Sequence, residues 1–99
     1  LMAAMTYSIE GKRVLVTGSS GGIGKGIALE LGRRGAHVIV HYNMREKEAY
    51  ATQKELGEQC LGVLHCDFRE PDSIPSFMHR CQDCSKGQVL DLALIHIYG

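Results

Sequence analysis

Four glycines fall within seven residues in the stretch Thr17-Gly18-Ser19-Ser20-Gly21-Gly22-Ile23-Gly24. It lies between the β-branched apolar run Val14-Leu15-Val16-Thr17 and an apolar stripe, Ile23, Ile27, Ala28 and Leu31, that recurs with helical period. A helix N-terminus carries unpaired N–H groups and a partial positive charge, so a bend leading into one binds anions, phosphate above all. In this bend Gly18 makes the sharp turn out of the strand. Gly22, without a Cβ, lets a pyrophosphate approach the backbone, and Gly24 lets the helix pack close to the sheet. The hydroxyls of Ser19 and Ser20 are candidate phosphate donors. A plain glycine-rich turn is the competing explanation. The flanking strand and amphipathic helix favour dinucleotide binding over it. No Gly-Lys-Ser/Thr closes the loop, which excludes a P-loop.

The end of the next strand bears on which dinucleotide. An NAD site places Asp or Glu about 20 residues past the glycines to hold the ribose hydroxyls. Here His41-Tyr42-Asn43 occupies that place, with no acid, and Arg45 follows where it can meet a 2′-phosphate. Tyr42 and Arg45 are therefore the ribose-side candidates, and the expected cofactor is NADP(H) rather than NAD(H). Arg45 as a solvated residue at a helix start is the alternative.

Cysteine offers a second chemistry. Cys81-Gln-Asp-Cys84 has CxxC spacing, and His65 and His79 lie nearby. Zinc needs four ligands, no second CxxC exists, and Cys66 ends an apolar run typical of a buried strand, so no metal is expected. A redox CxxC sits at a strand-to-helix turn, whereas this one lies near the end of a helical segment. All four thiols, Cys60, Cys66, Cys81 and Cys84, are expected to be reduced.

The elements that must position these residues alternate. The predicted strands are Val14–Thr17, Val38 to about Tyr42, Leu61–Cys66 and Val89–Ile97. The first helix follows the glycines and ends at Arg33 and Arg34 with Gly35 as cap. The second spans Arg45–Glu58 with Ala49, Ala51 and Leu56 inward. The third starts at Pro71-Asp72-Ser73 and buries Ile74, Phe77, Met78 and Cys81. Pro75 removes a backbone donor there unless the helix begins again at that point. Helix-containing connections make parallel neighbours with right-handed crossovers. The expected fold class is α/β, a three-layer Rossmann-like domain over residues 1–99 with a partial doubly wound parallel sheet: four strands in order 3-2-1-4, and three helices.

Composition agrees. Eleven Lys and Arg balance eleven Asp and Glu across 99 residues, with 44% hydrophobic and 22% charged. That excludes the basic footprint of a non-specific nucleic-acid binder and an acidic disordered tail. No apolar run approaches the ~20 residues that span a bilayer. Leu1–Tyr7 has no basic region and no long apolar stretch, so neither a secretory signal nor a membrane span is expected, and a cytoplasmic or other reducing compartment is. A chain that starts at Leu1 is expected to be a fragment, a processed chain or a partial translation.

The stretch Thr17–Gly24 resembles the TGxxxGxG signature of the short-chain dehydrogenases/reductases. Gly26-Ile-Ala-Leu-Glu-Leu31, Gly35-Ala36, Cys66-Asp67 and Leu90-Asp91-Leu92-Ala93-Leu94 are similar to that family's course, which covers the chain from about Gly11 to Gly99. The run looks most like the dehydrogenase/reductase member-1 subgroup. The resemblance implies an oxidoreductase moving hydride between nicotinamide and a carbonyl or alcohol. It implies that Gly18, Ser20, Gly22, Ile23 and Gly24 line the pyrophosphate and adenosine side, and that Asp67 accepts from the adenine amino group. Tyr98-Gly99 fits the Tyr-containing variant of the motif that ends the family's fourth strand. Two departures stand out. Ile95-His96-Ile97 replaces the family's Asn-Asn-Ala, and the catalytic Ser and Tyr-x-x-x-Lys are expected beyond Gly99. Tyr50-Ala-Thr-Gln-Lys54 matches that last motif by spelling only, on the second helix, so no catalytic residue is assigned. The chain alone is thus expected to be inactive, as the cofactor half of a longer enzyme or as a short isoform that binds nucleotide or a partner. An exposed fourth strand offers a route to self-association.

Overall fold

The computed structural model describes residues 8–88 and 90–94. In chain order they form β1 (Arg13–Val16), α1 (Gly22–Arg33), β2 (His37–Tyr42), α2 (Glu46–Leu56), β3 (Cys60–His65), α3 (Ile74–Cys84) and β4 (Leu92–Leu94). The strands are parallel and ordered β3-β2-β1-β4. Val14, Leu15 and Val16 of β1 pair with Val38, Ile39 and Val40 on one side and with Leu92, Ala93 and Leu94 on the other. The fourth strand predicted over Val89–Ile97 is represented by Leu92–Leu94. Val89, the departing Ile95-His96-Ile97 and the matching Tyr98-Gly99 lie outside the described residues.

Successive strand residues point to opposite faces, and helices cover both. Val14, Val16, Val38 and Val40 pack with Ala28 of α1 and Ala49 and Leu56 of α2. Leu15 and Ile39, one residue out of phase, pack with Phe77 and Cys81 of α3. This is a three-layer, Rossmann-like α/β arrangement. Both faces are buried, which is why β1 and β2 read as continuous apolar runs rather than alternating ones. At the start of β4, Asp91 accepts the Arg13 N–H through its carboxylate at 2.7 Å and donates its own N–H to the Arg13 carbonyl at 2.9 Å, fixing the register with β1.

Helix ends follow local chemistry. Gly35 (φ +89°) closes α1: its N–H bonds to the Gly32 carbonyl, and the Ala36 N–H reaches Leu31. That paired geometry needs the left-handed conformation glycine adopts at least cost. The puzzle of Pro75 resolves as a restart. Pro71–Ser73 forms a separate 3-10 turn, and α3 begins at Ile74, so Pro75 sits in the first turn where no N–H is missed.

Several inward assignments need correction. Ile23 (69% exposed) and Ile27 (39%) lie outside the core; α1 buries Gly24 and Ala28 instead. Backbone-to-backbone approach leaves no room for large side chains on that face. On α2, Thr52 is buried and Ala51 exposed. On α3, Ile74 and Met78 are exposed while Phe77 and Cys81 are fully buried. Pro75 and Met78 line an apolar groove between α3 and β4, into which Leu90 and Ala93 also open.

Candidate functional site

β1, β2 and β3 are parallel, so the segments after them emerge at one edge of the sheet. The glycine-rich loop, Tyr42 and Asp67 all lie at this edge. β1 has β2 on one side and β4 on the other, so the loop sits where the strand order reverses, the place ligands take in open α/β sheets.

Gly18 (φ +63°) turns the chain out of β1, and Gly22 (φ +58°) starts α1. A Cβ on Gly24 would strike the Gly18 carbonyl, so the first helical turn rests directly on the loop backbone. The space beside Gly21 and Gly22 is open, with nothing within 4 Å of a Cβ built there. No side-chain hydrogen bond caps α1 and no acid occupies its first turn. The start of α1 thus leaves its first-turn N–H groups without a side-chain cap beside open space, the arrangement in which a helix N-terminus can take an anion.

Ser19 corrects one expectation. It is wholly buried: its hydroxyl donates to the Val16 carbonyl at 2.7 Å and accepts the His41 N–H at 3.1 Å, while its own N–H donates to the His41 carbonyl at 3.0 Å. With its hydroxyl committed inward, Ser19 stiffens the loop from beneath rather than facing a ligand. Thr52 of α2 adds a second prop, its hydroxyl donating to the Ser19 carbonyl at 3.1 Å. Ser20 is half-buried, and Ile23 is exposed beside the open space.

His41, which in the sequence shows only as a residue standing where an acid is usual, bridges the loop after β1 and the end of β3. Its Nδ1 accepts the Gly18 N–H at 2.9 Å, and its Nε2 lies 2.8 Å from the Cys66 carbonyl. The ring packs between Phe68 and Phe77, with centroids at 4.7 and 5.5 Å. Burial pushes the imidazole below its ordinary pKa, partly offset by the bond to Cys66.

On the ribose side, Tyr42 is buried and donates its hydroxyl to the Glu46 carboxylate at 2.9 Å. Burial and then this carboxylate raise the phenol's pKa. Glu46 was not singled out from the sequence; its position four residues after Tyr42, in the first turn of α2, was the available signal. Arg45 is exposed at the start of α2 and makes no ion pair among the described residues. Asp67 is half-buried, and both its oxygens engage the Arg69 guanidinium at 3.0 Å, which holds the carboxyl below the usual range. Any group approaching Asp67 shares the carboxylate with Arg69. Tyr50 and Lys54 lie exposed on α2.

The four cysteines are free thiols around β3 and α3. Burial raises Cys60 and Cys84, and carries Cys81 up to about 11.

The family model for short chain dehydrogenases matches residues 12–92, which include the whole sheet edge just described. The chain belongs to the short-chain dehydrogenase family. These are oxidoreductases that work with a nicotinamide cofactor. Short chain dehydrogenase mdpC of Emericella nidulans is 52% identical over 75 residues, 73% of this chain and 28% of that protein. Versicolorin reductase 1 of Dothistroma septosporum is 50% identical over 80 residues, 78% of this chain and 30% of that protein. A dehydrogenase/reductase from Sinorhizobium meliloti 1021 superposes with a TM-score of 0.80 at 28% identity, over 97% of this chain and 38% of that one. This short-chain dehydrogenase sequence therefore spans less than a third of the length of these two curated relatives. No helix among the described residues is long and apolar enough to cross a membrane.

Proposed function

We propose that residues 1–99 are the dinucleotide-binding portion of a short-chain oxidoreductase, with NADP(H) favoured over NAD(H). The carrying observation is the uncapped start of α1, set against Gly18 through Gly24 and opening onto unobstructed space at the switch point of the sheet. In this reading Gly18, Ser20, Gly22, Ile23 and Gly24 line the diphosphate, and Ser19 supports them from below. Tyr42 and Arg45 flank the adenosine ribose, and Asp67 meets the adenine. The cofactor, when bound, supplies or accepts hydride. The chain's own residues bind and orient it, the α1 amides taking the phosphate charge.

The NADP(H) preference rests on Arg45, a cation without an ion-pair partner among the described residues, next to a strand end that lacks an acid. Glu46 opposes it, since its carboxylate bonds Tyr42 and brings negative charge to the same end. Calorimetric titration with NADPH and NADH decides. The expected result is tighter binding of NADPH, with the difference lost in Arg45→Ala; tighter binding of NADH overturns the preference. Binding of neither overturns the whole reading.

The reductase names among the relatives support a carbonyl as substrate in the complete enzyme. No turnover is expected from this chain alone, as no catalytic residue is assigned within it. The edge strand β4 and the apolar groove lined by Pro75 and Met78 support self-association of the isolated chain. Light scattering at rising concentration is expected to show a growing mass; a constant monomer mass contradicts it.

A further inference from the structure

We propose that His41 is a positioning residue: its neutral imidazole clasps the glycine-rich loop to the end of β3, and acid opens the clasp and weakens dinucleotide binding. The inference deepens the dinucleotide-binding reading above and rests on it for its effect on affinity. The clasp itself rests on geometry alone.

An imidazole that accepts the Gly18 N–H at Nδ1 carries no proton on that nitrogen. Its Nε2 faces the Cys66 carbonyl, an acceptor, and so must donate. One tautomer of the neutral ring satisfies both bonds. In the cation both nitrogens are donors, and an Nδ1–H would meet the Gly18 N–H head on at a separation of 2.9 Å. The backbone of His41 is held by Ser19 at both its N–H and its carbonyl, so relief comes only from the ring turning away from the Gly18 N–H or from Gly18 moving, and either breaks this bond.

The bond joins two parts of one site. Gly18 begins the phosphate loop, and its carbonyl lies beneath Gly24, the first turn of α1. Cys66 immediately precedes Asp67 on the adenine side. A change in the charge of one buried ring is therefore felt at both ends of the dinucleotide groove.

The surroundings decide which charges bear on it. β3 supplies His65, whose positive charge would oppose a second one on His41. The segment after β3 supplies Asp67 and Arg69, which pair with each other at 3.0 Å, and the ring of Phe68. From α3 come Phe77 and, 5.6 Å from the Phe77 ring centre, the Arg80 guanidinium. The glycine-rich loop and Thr52 of α2 bring no titratable group. The Asp67 carboxylate is already taken by the Arg69 guanidinium, so the cation is left without compensation.

The test follows Gly18 and His41 by heteronuclear NMR on the 99-residue chain between pH 8 and 5.5, in the wild type, His41→Asn and His41→Gln. Asparagine places an amide oxygen near the Nδ1 position, toward Gly18, and glutamine an amide N–H near the Nε2 position, toward Cys66, each without a titrating proton. The expected result is a neutral ring with the proton on Nε2 at pH 8. Below its titration point the Gly18 amide signal moves and its hydrogen-exchange protection falls in the wild type, but in neither amide variant.

In parallel, NADPH affinity is measured at each pH. The wild-type affinity divided by that of His41→Asn should fall toward tenfold per pH unit below the His41 titration, the slope for one linked proton. The ratio cancels any titration of the nucleotide itself. A Gly18 signal that ignores His41, or wild type and His41→Asn with the same pH profile, overturns the clasp. Loss of nucleotide binding at every pH, with Gly18 still following His41, leaves the clasp standing and overturns the dinucleotide reading instead.

Discussion

Gly24 rests on the carbonyl of Gly18, so close that a Cβ at position 24 would collide with that oxygen. The obstacle is backbone, which cannot swing aside as a side chain can. Gly24→Ala must therefore push α1 off the loop. A loss of about 2 kcal/mol or more in unfolding free energy is expected, by urea denaturation, together with weaker binding of NADPH. An unchanged denaturation midpoint would show that the helix start is free to shift.

Ser19→Ala removes the acceptor of the buried His41 N–H and the donor to Val16. Leaving a buried donor without a partner costs about 1–3 kcal/mol. Thr52→Val, which deletes one prop beneath the same loop at nearly constant volume, should cost about 1 kcal/mol. Because both residues touch one loop, the double variant is expected to lose less than the sum. Strict additivity by denaturation would mean that the two props act independently.

Acid sensitivity has a defined sign. His41 titrates below its ordinary 6.5 in the folded chain because of burial. As pH falls past 6.5 the unfolded chain takes up a proton before the folded one does, so stability declines through that window and is whole above it. Asp67 and Glu30 are depressed from 3.8 and 4.5, so what they contribute is lost only at still lower pH. The urea midpoint is expected to be lower at pH 5.5 than at 7.5, with the difference reduced in His41→Asn. Equal midpoints at the two pH values would contradict a buried neutral imidazole.

Cys81 is fully buried on the inner face of α3, and burial carries its thiol up to about 11. At pH 8 its thiolate fraction is on the order of one in a thousand, and access is blocked besides. Iodoacetamide followed by mass spectrometry should leave Cys81 unmodified in the native chain and modify it in denaturant. Rapid native labelling would place α3 away from β3.

The parallel βαβ order and the glycine-rich bend were legible in the sequence because each depends on local rules. A doubly buried strand shows as an unbroken apolar run such as Val38-Ile39-Val40, and a helix end shows as a basic pair before Gly35. The partners of single side chains were not legible. Ile23 and Ile27 follow helical period yet lie exposed, because the face that meets the sheet is chosen by how closely backbones approach, at Gly24 and Ala28.

The sequence by itself determined that an amide-lined bend follows a buried strand and opens a helix, since chain-local geometry and glycine content suffice for that. Only the tertiary structure decided that Ser19 turns inward, that Thr52 props the loop from another helix, and that His41 joins Gly18 to Cys66. The physical reason is separation along the chain: His41 lies 23 residues from Gly18 and 25 from Cys66. Hydrogen bonds over such distances come from the register of parallel strands, which no local pattern records.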